Sequence, residues 1–137
     1  MPLSRAQSLK ISRECLGLRA RILNRVVSRI YDEELRAHDL KISQFTILVA
    51  ISMHPKVRAV DLGQALEIEK SSLSRNLKHM VEQAWLRQSE GLEITAAGER
   101  VLQGAYPAWT KAQARVKKRL SAEGADGLFD ATRPLLS

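Results

Sequence analysis

A polar and basic helix face between residues 70 and 84 carries the side chains of this sequence that are best suited to bind another molecule. Apolar residues recur at helical spacing along one side of the segment: Leu73, Leu77, Met80, Val81 and Ala84. The candidate contacts on the remaining surface are Lys70, Ser71, Ser72, Ser74, Arg75, Asn76, Lys78 and His79. Hydroxyls, amides and cations bind phosphates and base edges, and arginine favours guanine while asparagine favours adenine.

A solvated surface helix is the other interpretation of this pattern, because amphipathic helices are common. Two neighbouring features favour DNA. Residues 61–66 form a short helix pattern in which Gly63 lets a second helix cross closely, and residues 67–69 make a compact break. A short hairpin follows at once. The sequence therefore predicts a helix-turn-helix whose second helix, residues 70–84, lies in the major groove of double-stranded DNA.

The predicted hairpin pairs residues 85–88 with residues 92–94 around Ser89, Glu90 and Gly91. Gly91 is expected to supply the positive φ that such a turn requires. Arg87 is the best candidate in the hairpin for a phosphate contact. Glu90 is expected to repel phosphate, so this small wing predicts a limited footprint on DNA.

Length and composition restrict the classes of protein that need to be considered. A chain of 137 residues fits one domain, and its net charge of +7 favours a polyanionic partner. Aromatic residues make up only 4% of the chain, which argues against proteins that stack single-stranded bases on aromatic platforms. The single cysteine, Cys15, excludes an intrachain disulfide. Without a signal-peptide pattern or a long apolar run, a cytoplasmic location is expected.

Two long helices are predicted to flank this lobe. Residues 8–38 carry an apolar stripe interrupted only by Gly17, with Arg21, Arg25 and Arg29 opposite. The stripe consists of Leu16, Leu18, Ile22, Leu23, Val26, Val27, Ile30 and Leu35. One chain of this size cannot cover two such stripes. We therefore expect a homodimer in which residues 8–38 and 99–137 dimerise and residues 43–95 form the winged helix-turn-helix lobe of a single domain, 1–137.

The boundaries of the other helices follow from capping and helix-breaking residues. Ser43 is expected to cap a core helix over residues 44–53, which Pro55 ends. Thr95 is expected to cap the second long helix, which runs to about residue 120 with a kink at Pro107. Breaks at the two glycines that follow are expected to lead into a short last helix. Those glycines are Gly124 and Gly127, and the last helix would hold Leu128, Phe129 and Leu135.

The order and spacing of several motifs resemble the MarR-type winged helix-turn-helix transcriptional regulators over nearly the whole chain. The motifs are Tyr31-Asp32-Glu33-Glu34-Leu35, Ile42-Ser43-Gln44-Phe45, Asp61-Leu62-Gly63-Gln64-Ala65-Leu66, Lys70-Ser71-Ser72-Leu73-Ser74-Arg75-Asn76-Leu77 and Leu92-Glu93-Ile94-Thr95-Ala96-Ala97-Gly98. The resemblance implies a mainly α fold with a β-hairpin wing and an intertwined homodimer built from long N- and C-terminal helices. It also implies a ligand-responsive repressor with a small-molecule effector pocket between those helices and the DNA-binding lobe.

Three positions depart from the family pattern. The family's wing is usually longer and carries an arginine that enters the minor groove, whereas this turn is only Ser89-Glu90-Gly91. The Gly-x-Asp common in the motif's turn is replaced by Glu67-Ile68-Glu69, and the usual glycine before the first wing strand is replaced by Ala84-Trp85. The short wing leaves open a second hypothesis, a protein–protein adaptor that keeps the fold and binds DNA weakly or not at all.

Catalytic and metal-binding patterns are missing from the sequence. His38, His54 and His79 are widely spaced, and no phosphate loop, nucleophile elbow or paired-carboxylate pattern occurs, so no enzyme activity, metal or cofactor is predicted. Some relatives of the resembled family sense peroxides through a cysteine in the first helix. Here Cys15 has Arg19 one turn away but no neighbouring tyrosine, which favours a half-buried structural cysteine over a redox role.

Overall fold

A helical fold with one small hairpin is seen in the computed structural model, which describes residues 1–136. The helices are α1 (Arg5–Glu14), α2 (Leu16–Leu35), α3 (Ile42–Met53), α4 (Ala59–Leu66), α5 (Lys70–Glu82) and α6 (Ala96–Thr132). The strands β1 (Leu86–Gln88) and β2 (Leu92–Ile94) pair antiparallel, and 3₁₀ turns occupy Arg36–His38 and Arg133–Leu135. The predicted fold class, mainly α with a β-hairpin wing, is confirmed.

The N-terminal helix is divided at Cys15, so the prediction of one helix over residues 8–38 is wrong. Cys15 has extended backbone angles (φ −69°, ψ 111°), and its Sγ accepts a hydrogen bond from the Leu18 amide at 3.4 Å. The thiol therefore caps α2, a role that a sequence pattern does not reveal. Gly17, which was expected to interrupt the helix, lies within the first turn of α2.

The second long helix was predicted to run to about residue 120, and its helical backbone angles are interrupted close to that point, at Ser121 and not at Gly124 or Gly127. Ser121 has φ 70° and ψ 163°, and its Oγ accepts a hydrogen bond from the Gly124 amide at 3.1 Å. Backbone angles stay helical at Pro107, where neighbouring Ala105 is fully buried and keeps the helix packed against the core. Thr95 caps the start of α6 as predicted, because its Oγ1 accepts from the Gly98 amide at 3.0 Å.

Helix α3 begins one residue before the predicted cap, Ser43. The Ile42 amide donates to Asp32 Oδ1 at 2.8 Å, and the Lys41 amide donates to Gln44 Oε1 at 3.0 Å. The first of these bonds comes from α2, so a tertiary contact replaces the local serine cap. It also fixes the end of α2 against the start of α3.

The main core joins the lobe of residues 43–95 to the ends of the long helices. Its largest fully buried side chains come from α2, α3, α5 and β2: Leu35, Ile47, Leu48, Ile51, Met80 and Leu92. A second, smaller cluster of Ile30, Ala112 and Val116 joins α2 to α6. Burial of this apolar surface is the main force that fixes the inner side of α5 and the root of the hairpin. Between residues 1 and 136, no helix is long and apolar enough to cross a membrane.

Candidate nucleic-acid interface

The turn between α4 and α5 brings the two helices into close contact. Glu67 adopts the left-handed conformation (φ 53°, ψ 45°), and the Ile68 amide donates to the Gly63 carbonyl at 2.9 Å. A Cβ at Gly63 would lie 3.2 Å from Leu73 Cδ2, tighter than most real contacts. Gly63 therefore allows the close crossing that was predicted from its small size. As expected from its sequence, this turn gives α5 no side-chain N-cap at Glu69.

The inner side of α5 holds Leu73 and Met80 buried and Leu77 half-buried. Val81 remains exposed, so the predicted apolar face is narrower than the helical wheel indicated. The helix ends at Glu82, whereas residues 70–84 were predicted. Ala84 has φ 64° and turns the chain toward β1, which a hydrogen bond from Thr95 Oγ1 to the Ala84 carbonyl at 2.6 Å stabilises.

The outer side of α5 presents five exposed residues from the predicted set: Lys70, Ser71, Ser74, Arg75 and Lys78. The three cations among them lie without an acidic partner within 4.0 Å in residues 1–136. An exposed helix face with unpaired cations is electrostatically suited to bind phosphate groups.

Two further residues of the predicted set, Ser72 and Asn76, are half-buried at the edge of this face. Ser72 Oγ accepts a hydrogen bond from Arg75 Nη2 at 3.3 Å, and the Ser72 carbonyl accepts from Asn76 Nδ2 at 3.1 Å. The first of these bonds restrains the guanidinium of Arg75, so Ser72 positions Arg75 in this structure. The Asn76 side chain is held by the backbone of its own helix.

His79 lies apart from the other predicted contacts. Its ring packs edge-on against Trp85, with ring centroids 6.0 Å apart and an interplanar angle of 87°. It lines a cavity of about 680 Å³ between the end of α2 and the inner side of α5, together with Asp32, Arg36, Gln83 and others. His79 is therefore turned toward the body of the protein, which differs from its predicted place on the outer face.

The hairpin carries its charges in pairs. Arg87 opposes Glu93 across the strands, with Arg87 Nε 2.9 Å from Glu93 Oε2. Glu90 at the turn lies 3.5 Å from Lys56 Nζ, in the loop after α3. Both carboxylates are thus matched by cations, and Arg87 is less available for phosphate than an isolated arginine would be.

Gly91 does not have a positive φ, so the prediction that it supplies one for the hairpin turn is wrong. A glycine is needed here because the backbone of Lys56 passes very close to it. A Cβ at Gly91 would lie 2.1 Å from the Lys56 carbonyl oxygen, a distance that real side chains do not tolerate. Lys56 itself takes the left-handed conformation (φ 67°), and Val57 forms a β-bridge with Leu92. Trp85, predicted to begin the first strand, is a buried residue that precedes it.

Two cations that the sequence analysis missed lie beside the hairpin and the start of α4. Lys56 reaches the hairpin turn, and Arg58 precedes α4, where its Nε lies 3.3 Å from Asp61 Oδ2. Neither belongs to a periodic helix face, so no local pattern could have identified them. Across the described residues, no group of three or more potential metal ligands occurs.

A two-helix motif followed by a hairpin packed against the same core defines a winged helix-turn-helix protein. The family model described as MarR family matches residues 38–91. No curated protein sequence matches the chain.

The Mycobacterium tuberculosis transcriptional regulator MosR is 28% identical, with a TM-score of 0.75 over 88% of this chain and 97% of that one. The same regulator in complex with DNA has a TM-score of 0.71 over 88% and 99%. CouR, a transcriptional repressor bound to p-coumaroyl-CoA, is 18% identical, with a TM-score of 0.80 over 92% and 93%. Residues 38–91 thus match the MarR family model, and the chain has the fold of the MarR-family transcriptional regulators among these solved structures.

Proposed function

We propose that the protein is a homodimeric repressor that binds a specific sequence in double-stranded DNA and releases it when a small-molecule effector binds. The observation that carries this proposal is the outer side of α5. It exposes three unpaired cations and two hydroxyls on a helix whose other side is fixed in the core. A rigid helix with such a face suits insertion into the major groove.

The residues of this face would contact different parts of the DNA. Arg75, restrained by Ser72, would read a base edge, while Lys70 and Lys78 would bind phosphates. Ser74 would donate to a phosphate oxygen. The Ser71 hydroxyl, which donates to Glu69 Oε1 at 3.1 Å in this structure, would exchange that bond for one to phosphate. Asn76 would support the edge of the face, and Arg87, shared with Glu93, would make a weaker phosphate contact from the wing.

Dimerisation through residues 8–38 and 99–137 is supported by apolar side chains left in solvent. Helix α1 has no buried residue, and exposed apolar side chains cluster near both ends of the chain. They are Leu9, Ile11, Leu16, Leu18, Ile22, Phe129, Leu135 and Leu136. A two-fold dimer covers such surfaces and spaces two copies of α5 by about one turn of DNA. Sedimentation at micromolar concentration tests this, and a monomer of 15.3 kDa would contradict it.

The cavity behind α5 is the proposed effector site. Its volume of about 680 Å³ falls within the range of small-molecule sites, and it lies between a predicted dimerisation helix and the lobe of residues 43–95. CouR illustrates that a protein of this fold takes up a small organic ligand. A ligand touching His79 and Gln83 would shift α5 and so lower the population of the DNA-competent dimer.

Salt-dependent binding to duplex DNA tests the proposal directly. Fragments are selected from genomic DNA by the purified protein, and affinity for the best one is measured by fluorescence anisotropy over a range of salt. Displacement of phosphate-bound counterions predicts a steep decrease in affinity with salt. Arg75→Ala should weaken binding, whereas Lys117→Ala, an equal charge change on α6, should leave it nearly unchanged.

A protein–protein adaptor is the second candidate, favoured by the paired charges of the wing. With Arg87 bound to Glu93 and Lys56 bound to Glu90, the hairpin offers little net positive charge. An adaptor would show no steep salt dependence and no response to Arg75→Ala. Either result would replace the repressor proposal with the adaptor.

A further inference from the structure

Glu69, the residue immediately before α5, has a carboxylate that is not used to build the fold. It occupies the N-cap position, but its side chain accepts no hydrogen bond from the amides at the start of α5. Within residues 1–136 the carboxylate also has no cation within 4.0 Å. The side chain is exposed. The capping role that is usual for a carboxylate at the start of a helix is therefore absent.

One hydrogen bond places the Glu69 carboxylate on the outer side of α5. Ser71 Oγ, one of the exposed groups of that side, donates to Glu69 Oε1 at 3.1 Å. In the described part of the chain, Oε2 accepts no hydrogen bond. When Ser71 exchanges its bond for one to phosphate, as proposed above, Oε1 becomes free as well. In the proposed complex, both oxygens are thus available at the N-terminal end of the recognition helix.

A carboxylate at this place has a narrow choice of partners on DNA. The N-terminal residues of a recognition helix contact base edges in the major groove. An ionised carboxylate only accepts hydrogen bonds, and phosphates repel it. In the major groove guanine presents two acceptors, thymine an acceptor and a methyl group, and adenine a donor beside an acceptor. Cytosine presents a donor, its N4 amine, without an acceptor, so it alone matches a carboxylate.

We propose that Glu69 recognises a cytosine in each half-site by accepting a hydrogen bond from the cytosine N4 amine. This inference rests on the proposed repressor function, because it requires α5 to lie in the major groove. Glu69 precedes Arg75 by six residues, or about 9 Å along a helix axis, whereas base pairs are about 3.4 Å apart. Glu69 and Arg75 therefore contact different base pairs, and the cytosine is a separate element of the binding sequence.

The negative charge of Glu69 makes this contact selective. A carboxylate that enters the groove loses water and approaches phosphates, and both effects oppose binding. A bond to the N4 amine offsets this cost where cytosine is present. Guanine and thymine leave the carboxylate without a donor, and adenine places the N7 acceptor beside it. Replacement of the cytosine should therefore weaken binding by about tenfold.

Glu69→Gln is the sharpest test, because a glutamine amide both donates and accepts and so matches the N6 and N7 atoms of adenine. Glu67→Gln is the matched control. Glu67 is also exposed, lies at the end of α4, and makes no side-chain hydrogen bond to α5 in the described residues. Both substitutions remove one negative charge, so both should slightly strengthen binding to unrelated duplexes at low salt.

The experiment compares the base preferences of the wild type and the two variants. Each purified protein selects duplexes from a random-sequence library, and the selected duplexes are sequenced. Fluorescence anisotropy then compares duplexes that differ only at the position where Glu69→Gln changes the selected base. The wild type should prefer cytosine there by about tenfold, Glu69→Gln should prefer adenine, and Glu67→Gln should keep the preference for cytosine.

Selection of the same bases by Glu69→Gln and the wild type would overturn the proposal. An equal change of base in Glu67→Gln would do so too, because the effect would then follow net charge and not a contact of Glu69. Either result leaves the repressor proposal standing, since a specific duplex is still bound. If the wild type selects no duplex at all, the repressor proposal itself is contradicted, and this inference with it.

Discussion

Lys56 Nζ lies 3.5 Å from Glu90 Oε2 and so joins the loop after α3 to the turn of the wing. The side chains of this pair are 59% and 83% exposed. Exposed ion pairs contribute only about 0–1 kcal/mol to the free energy of unfolding. The importance of the pair is therefore electrostatic, because it decides whether the wing presents a net positive or a neutral surface to DNA.

Glu90→Gln should tighten DNA binding modestly at low salt. The substitution removes a carboxylate that repels phosphate, and it releases Lys56 from its ion pair to bind phosphate itself. Both effects act through exposed charges, so the gain should decrease as salt rises and screens them. Fluorescence anisotropy with the selected duplex over a salt series measures the difference.

Glu123→Gln is the control for Glu90→Gln, because it makes the same change in net charge at an exposed position of α6. It should leave affinity almost unchanged. If Glu90→Gln weakens binding at every salt concentration, the carboxylate instead holds Lys56 in a productive position. The wing would then act through that geometry.

Arg75→Ala and Lys78→Ala should weaken DNA binding in different ways. Arg75 is restrained by Ser72, so its loss should cost about 1–3 kcal/mol of binding free energy and relax base preference at one position per half-site. Lys78 is exposed and unpaired, so its loss should weaken all sequences alike and reduce the salt slope. Competition with altered duplexes separates the two effects, and equal unselective losses would contradict the assigned roles.

Helix α5 could be predicted almost completely from the sequence, because its signal is local and periodic. Leu73, Leu77 and Met80 lie on the inner side as the spacing indicated. The break at Cys15 could not be predicted, since a cysteine thiol is an unusual cap residue. The end of the long helix near residue 120 was predicted, but not the residue responsible, a serine at positive φ.

Contacts between segments that are distant in the sequence could not be predicted from it either. Asp32 caps α3 from α2, Lys56 meets Glu90 from another loop, and Trp85 draws His79 inward. Each depends on tertiary packing, which helical spacing does not encode. His79, at the edge of the predicted DNA-binding face, is therefore turned inward. The residues at its centre are exposed as the spacing indicated, and their contact with DNA stays a prediction.

Tyr31 should ionise at a higher pH in the folded protein than in the unfolded chain. Its hydroxyl donates to Gln113 Oε1, and burial raises the pKa of the phenol. Since the folded pKa exceeds the unfolded one, the associated stability is complete below the unfolded pKa of about 10 and is lost as pH rises through the folded pKa.

The chain has two tyrosines, so Tyr106→Phe leaves Tyr31 as the only phenol. Ultraviolet absorbance of tyrosinate in this variant should give a higher titration midpoint in buffer than in concentrated urea. Circular dichroism over the same pH range establishes where the protein remains folded. Identical midpoints in the folded and unfolded states would show that burial of Tyr31 has no such effect.

Ser121→Gly and Ser121→Ala should change stability in opposite directions. Ser121 has φ 70° and ψ 163°, a region that is costly for residues with a Cβ, by about 1–3 kcal/mol. Glycine relieves this strain, while its greater freedom in the unfolded chain and the loss of the Oγ bond to Gly124 offset part of the gain. We expect a net increase of about 1 kcal/mol in the free energy of unfolding.

Alanine keeps the strain at residue 121 and removes the same hydrogen bond, so Ser121→Ala should lower the free energy of unfolding by about 1 kcal/mol. Urea unfolding at one fixed protein concentration measures both variants, because the stability of an oligomer depends on concentration. Equal destabilisation by glycine and alanine would mean that the hydroxyl cap, and not backbone strain, dominates at this break. The bend would then depend on the serine side chain, and glycine would loosen the attachment of residues 122–132 to α2.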